Sequence, residues 1–188
     1  MKTQVIFIKN IFVILILLTL PVTTVYAEKD LNIKLKGVYA VNTNWGCIVN
    51  SSPPFDENSS DLSSEQITTA GEITYHGDGT ANEVGRVVIV NHTFANRFSE
   101  TYACGWEYQV NDDRTFSYSG KCLLPAVDPT RVLTNQKWNG HMGNERKTLL
   151  VERHDGEIEG ILDIAEREFT IVRVCNKTGT QIKLRGLN

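Results

Sequence analysis

The stretch from Tyr102 to Leu124, YACGWEYQVNDDRTFSYSGKCLL, restricts the fold more than any other part of the chain. Tyr102, Cys104, Trp106, Tyr108 and Val110 fall at every second position. Beyond Asn111–Arg114 the same rhythm returns in Phe116, Tyr118, Gly120 and Cys122. A strand sends successive side chains to opposite faces, so each arm carries one aromatic-rich face and one polar face. A turn centred on Asp113 sets Tyr108 opposite Tyr118, Trp106 opposite Gly120, and Cys104 opposite Cys122. One register therefore aligns both apolar faces and both cysteines, and a slip of one residue destroys that match. Gly120 leaves room for the Trp106 indole in this register. The expectation is a half-buried β-hairpin.

Residues 1–27 read as an export signal and not as part of the fold. Lys2 and Lys9 flank a short basic region, Ile11–Leu20 is an apolar run, and Val25–Tyr26–Ala27 offers small residues for cleavage. That run falls well short of the roughly 20 apolar residues that span a bilayer, so no membrane span is expected after signal removal. Residues 28–188 are then one domain, secreted or periplasmic. The formal net charge is −3, and loss of Lys2 and Lys9 makes the exported part more acidic. Nucleic acid and anionic membrane surfaces are poor partners for such a chain.

The four cysteines, Cys47, Cys104, Cys122 and Cys175, all lie in the exported part. An even count in an oxidising compartment reads as two disulfides. The hairpin register favours Cys104–Cys122, which leaves Cys47–Cys175 to join an early strand to a late one, as a closed barrel would require. The C-x-x-C and C-x-x-H spacings of a zinc site are absent, and no metal or cofactor is expected.

Along the rest of the chain, Leu35, Val38 and Tyr39 open a first strand that residues 44–49 continue past a bend. Asn50–Gln66 is rich in Ser, Pro and acids and reads as a long surface loop, with a helical turn near Ser63–Gln66. Gly71–His76 and Glu83–Asn91 are strands around the Gly77–Asp78–Gly79 turn. Arg131–Trp138 is an irregular strand and Asn139–Gly143 a turn-rich piece. Asp155–Gly156 reads as the turn of a hairpin between Lys147–His154 and Glu157–Ala165. Phe169–Cys175 and Thr180–Leu184 complete the set. About eight to ten short antiparallel strands imply an all-β fold, an up-and-down barrel or alternatively a β-sandwich.

The segments GVYAV, GEITYHGDGTANEVG, YQVNDDRTFSYSG and KTLLVERHDGEIEG together resemble exported calycin-like barrels, the broad group that contains the lipocalins. Gly37–Val38–Tyr39 stands where that group carries Gly-x-Trp. The resemblance implies a barrel that binds ligands in its mouth and implies no reaction.

No residue set recommends itself for catalysis. His76, His92, His141 and His154 are scattered, no serine sits in G-x-S-x-G, and Asp112 and Asp113 suit a water-facing hairpin tip. Glu152 with Arg153, and Glu166 with Arg167, read as charge pairs on strand ends or turns, worth at most about 1 kcal/mol each if exposed. The aromatic face of Tyr102, Trp106, Tyr108, Phe116 and Tyr118 is the candidate binding surface. In a narrow barrel it is packed core; in a wider one it lines a pocket for a small apolar or aromatic ligand. The other function open to the chain is protein interaction or inhibition through Asn50–Gln66 or Asn139–Gly143, without catalysis.

Overall fold

The computed structural model describes residues 30–51, 53–124, 131–153 and 156–187. The signal-like segment 1–27, the prolines Pro125 and Pro129, and the His154–Asp155 pair lie outside the described residues. Among the described residues nine strands form one antiparallel sheet: β1 (Gly37–Asn50), β2 (Leu62–Tyr75), β3 (Thr80–Asn91), β4 (Asn96–Val110), β5 (Thr115–Leu123), β6 (Arg131–Met142), β7 (Thr148–Arg153), β8 (Ile158–Asp163) and β9 (Glu168–Arg185). Each strand pairs with its successor in the chain from β1 to β7, and β9 pairs back onto β1, so the sheet closes on itself. The fold is the up-and-down barrel, not the sandwich.

The central hairpin has the expected register, with Cys104 across from Cys122, Trp106 from Gly120 and Tyr108 from Tyr118. A Cβ at Gly120 would collide with the Gly105 carbonyl oxygen and come within 2.6 Å of the Trp106 ring, so the position suits glycine. The tip is fastened by Asp113, whose Oδ1 accepts from Thr115 N at 3.0 Å and Thr115 Oγ1 at 2.6 Å. Asp78 repeats the device on Thr80 at the β2–β3 turn. Both disulfides form as expected. Cys104–Cys122 crosses the hairpin and Cys47–Cys175 crosses the β1–β9 seam at directly opposed positions.

Four local expectations need correction. Leu35 is not in a strand: Asn32–Leu35 is a single 3₁₀ turn, and the fully buried Leu35 plugs one end of the barrel. Asn32 holds it there, since its Oδ1 accepts from Val110 N and its carbonyl from the Tyr108 hydroxyl. Residues 62–66 are strand, not loop or helical turn. They pair with β1 on one side and, from Glu65 on, with β3 on the other, so these neighbours satisfy backbone groups that a helical turn would otherwise have to pair locally. Only residues 51–61 lie between β1 and β2. Asn139–Met142 likewise belongs to β6, where Gly140 makes way for the Phe116 ring.

The fourth correction concerns Asp155–Gly156. β7 and β8 do not pair with each other. β7 lies between residues 139–142 of β6 and 177–182 of β9, and β8 between residues 131–134 of β6 and 168–174 of β9. They run in the same direction, end to end, as one interrupted stave of an eight-stave barrel. A hairpin at Gly156 would have carried β8 away and left the facing edges of β6 and β9 without partners, a cost a closed barrel avoids. Between the β6 residues that face β7 and those that face β8, Asn135 has φ of 56°.

Candidate functional site

Side-chain parity inside the barrel follows from the cysteines. Cys175 points inward to meet Cys47, so Arg173, Lys177 and Gln181, each an even number of residues from it on β9, point inward as well. The same logic on β4 turns Tyr102, Trp106 and Tyr108 inward with Cys104. The interior thus has two chemically different halves.

The end closed by Leu35 is aromatic. Tyr75 stacks edge-on against Tyr39, Tyr108 and Phe116, with centroid distances of 5.5, 4.9 and 6.4 Å. Each hydroxyl has a partner: Tyr75 donates to Gln181 Oε1 at 2.9 Å, Gln181 Nε2 donates to Tyr118 at 3.2 Å, and Tyr39 donates to the Arg146 carbonyl. Burial pushes the Tyr75 and Tyr118 hydroxyls well above their ordinary pKa and Tyr39 up to about 12. Such satisfied, neutral phenols behave as core. Of the five aromatic candidates, Tyr108 and Phe116 belong to this packed end.

Tyr102, Trp106 and Tyr118 border the other half, where the interior holds a cavity of about 40 Å³. Trp45, Trp138, Ile67, Val87, Ile89 and Leu133 complete most of its apolar wall, and the Cys104–Cys122 bridge contributes to it. The chain has three tryptophans and all three line this space. On one side Glu83 is fully enclosed, accepting from the Tyr102 hydroxyl at 2.6 Å and from Trp106 Nε1 at 2.9 Å. Burial raises its pKa, and the two hydrogen bonds only partly offset that.

The other side is a buried ion cluster that the sequence reading missed. Arg153 Nη1 donates to Glu159 Oε1 at 2.8 Å and to the Asn135 carbonyl at 3.0 Å, bridging the break between β7 and β8. Arg173 Nε donates to Glu159 Oε2 at 3.2 Å. Lys177 Nζ donates to the same Glu159 and, at 2.7 Å, to Gln136 Oε1. Its ammonium lies 4.1 Å from the Trp45 ring centroid and 5.2 Å from that of Trp138. The supposed surface pair Glu152–Arg153 is therefore a misassignment. Glu152 faces out, while Arg153 is 1% exposed and serves Glu159, because adjacent strand residues cannot share a face. Glu166 and Arg167 do lie in an exposed turn.

Three cations surround one wholly buried carboxylate, and Glu157 at the rim meets both Arg153 and Lys137. Burial alone would raise the Glu159 pKa, but Lys177 and Arg173 bring it below the usual value. Guanidinium groups keep their protons, so the strain of excess positive charge falls on the lysine. Burial, with Arg173 and Arg153 adding to it against the pull of Glu159, lowers Lys177 from 10.5 to about 7. A lysine depressed in the folded state binds fewer protons there than in the unfolded chain, so stability rises with pH between those two values. Wild type should gain on Lys177→Met by up to about 1.4 kcal/mol per pH unit from about pH 7 to about pH 9 in parallel urea titrations. Curves that stay parallel over that range would mean the ammonium keeps its proton.

Among the described residues no group of three or more His, Cys, Asp and Glu is arranged to hold a metal ion, and no helix is long and apolar enough to cross a membrane. His76 sits on the surface with its Nε2 3.0 Å from Asn82 Nδ2. Compared with protein-family models, curated proteins and solved structures, the chain matches none.

Proposed function

We propose that this chain is an exported, calycin-like binding module that holds a small ligand with an apolar or aromatic body inside the barrel, without catalysing a reaction. The observation that supports it most is the placement of the cavity. The cavity lies in the barrel interior among Trp45, Trp106, Tyr118 and Trp138. An eight-stranded barrel is at the size where the interior either fills with side chains or takes one small ligand. Two disulfides accord with an oxidising exterior, and the basic–apolar start of the sequence accords with export.

All three indoles border the cavity, so tryptophan emission reports directly on its contents. Titration with a panel of small aromatic and aliphatic compounds is expected to quench or shift that emission saturably for at least one chemical group. Trp138→Phe should weaken the response without unfolding the barrel. A flat response across the whole panel rejects the binding reading.

A further inference from the structure

We infer that the ligand carries a small anionic group, of carboxylate size, which the Arg173 guanidinium receives inside the cavity. This rests on the binding reading above and adds a substrate class to it. Arg173 is 4% exposed, inward-facing and part of the cavity wall. Its Nε is committed to Glu159, whereas its Nη2 is buried with no hydrogen-bond acceptor among the described residues. A buried guanidinium N–H without an acceptor is costly, and native structures nearly always supply one. A planar guanidinium with one edge engaged and a donor to spare suits a carboxylate oxygen better than a neutral amide or hydroxyl.

The surroundings favour the same chemistry. Glu83, the carboxyl group on the cavity wall, accepts from Tyr102 and Trp106, and among the described residues no hydrogen bond joins it to Arg173. Glu159 is shared among Arg153, Arg173 and Lys177, so its charge is divided three ways and the cluster retains positive charge. Glu100 is buried on β4 but does not line the cavity. Size agrees too. A space of about 40 Å³ takes about three water-sized groups, the extent of a carboxylate. A larger body has to displace wall side chains or project out of the cavity.

The test pairs acids with their isosteric amides on the full exported chain with disulfides intact: acetate with acetamide, benzoate with benzamide, octanoate with octanamide. Tryptophan emission and calorimetry are read at neutral pH. The expected result is tighter binding of the acid by tenfold or more in at least one pair. Arg173→Gln should then abolish the preference while leaving amide binding in place. Should that variant fail to fold, Arg173→Lys, which keeps the charge but loses the spare planar donor, is expected to reduce the preference at least several-fold. Equal binding of acid and amide, or preference for the amide, overturns the anionic group and leaves the binding module standing. An acid preference that persists undiminished in Arg173→Gln or Arg173→Lys overturns the role of Arg173. No binding in any pair, together with a flat response to the wider panel, overturns both.

Discussion

Glu159→Gln is expected to destabilise the barrel by about 3–5 kcal/mol, more than any other single replacement of a polar side chain in the interior. Glu159 is 1% exposed and receives Arg153, Arg173 and Lys177. Glutamine preserves the shape and one acceptor oxygen but removes the buried negative charge that the three cations share. Two of these are guanidiniums and stay charged at any accessible pH. Lys177 can relieve part of the repulsion by giving up its proton, which should move its titration further below about 7. Removing the lysine as well has to recover stability, so Glu159→Gln/Lys177→Met should be less destabilised than the sum of its single variants. Urea unfolding of the four proteins in this cycle measures the coupling. Strict additivity, or a Glu159→Gln loss below about 1 kcal/mol, would show that the cluster is solvated and contributes no more than a surface pair does.

The barrel and its disulfides were legible in the sequence because one constraint reinforced another. The aromatic alternation and the cysteine positions demanded the same register, and that register left the other two cysteines to close the seam. The ion cluster was missed for a reason that can be stated physically. Arg173 and Lys177 are residue types that ordinarily belong in water, so type alone hides them, although Cys175 between them fixes the parity of the strand. Once Cys175 points inward to meet Cys47, residues 173, 177 and 181 point inward too, whatever their chemistry. Asp155–Gly156 failed differently. The dipeptide is a strong local turn signal, but closure of the barrel required both edges of that gap to be covered, and this non-local demand prevailed. The cavity was not legible at all. Whether Tyr102, Trp106 and Tyr118 leave space depends on the volume of the walls facing them, and those walls come from residues as far away in sequence as Val41 and Arg173.

Removal of the Cys47–Cys175 bridge as Cys47→Ser/Cys175→Ser is expected to cost about 5 kcal/mol, against about 3 kcal/mol for Cys104→Ser/Cys122→Ser. The difference comes from the unfolded chain. The first bridge spans 128 residues and the second 18, and cross-linking the longer loop removes more conformational freedom from the unfolded state. Within each bridge the two single serine variants should match each other and the double variant, since losing either sulfur loses the whole cross-link. Between bridges the losses should add, because one joins β1 to β9 and the other joins β4 to β5. Urea unfolding of the oxidised proteins, monitored by tryptophan emission, gives all of these values. Equal costs for the two bridges would refute the loop-length account and place the effect in the folded barrel instead. Additive loss of both bridges comes to about 8 kcal/mol, which is comparable to the entire stability of a typical domain. The barrel without cross-links is then expected to sit near its unfolding threshold, and its recovery in folded form should depend on an oxidising environment.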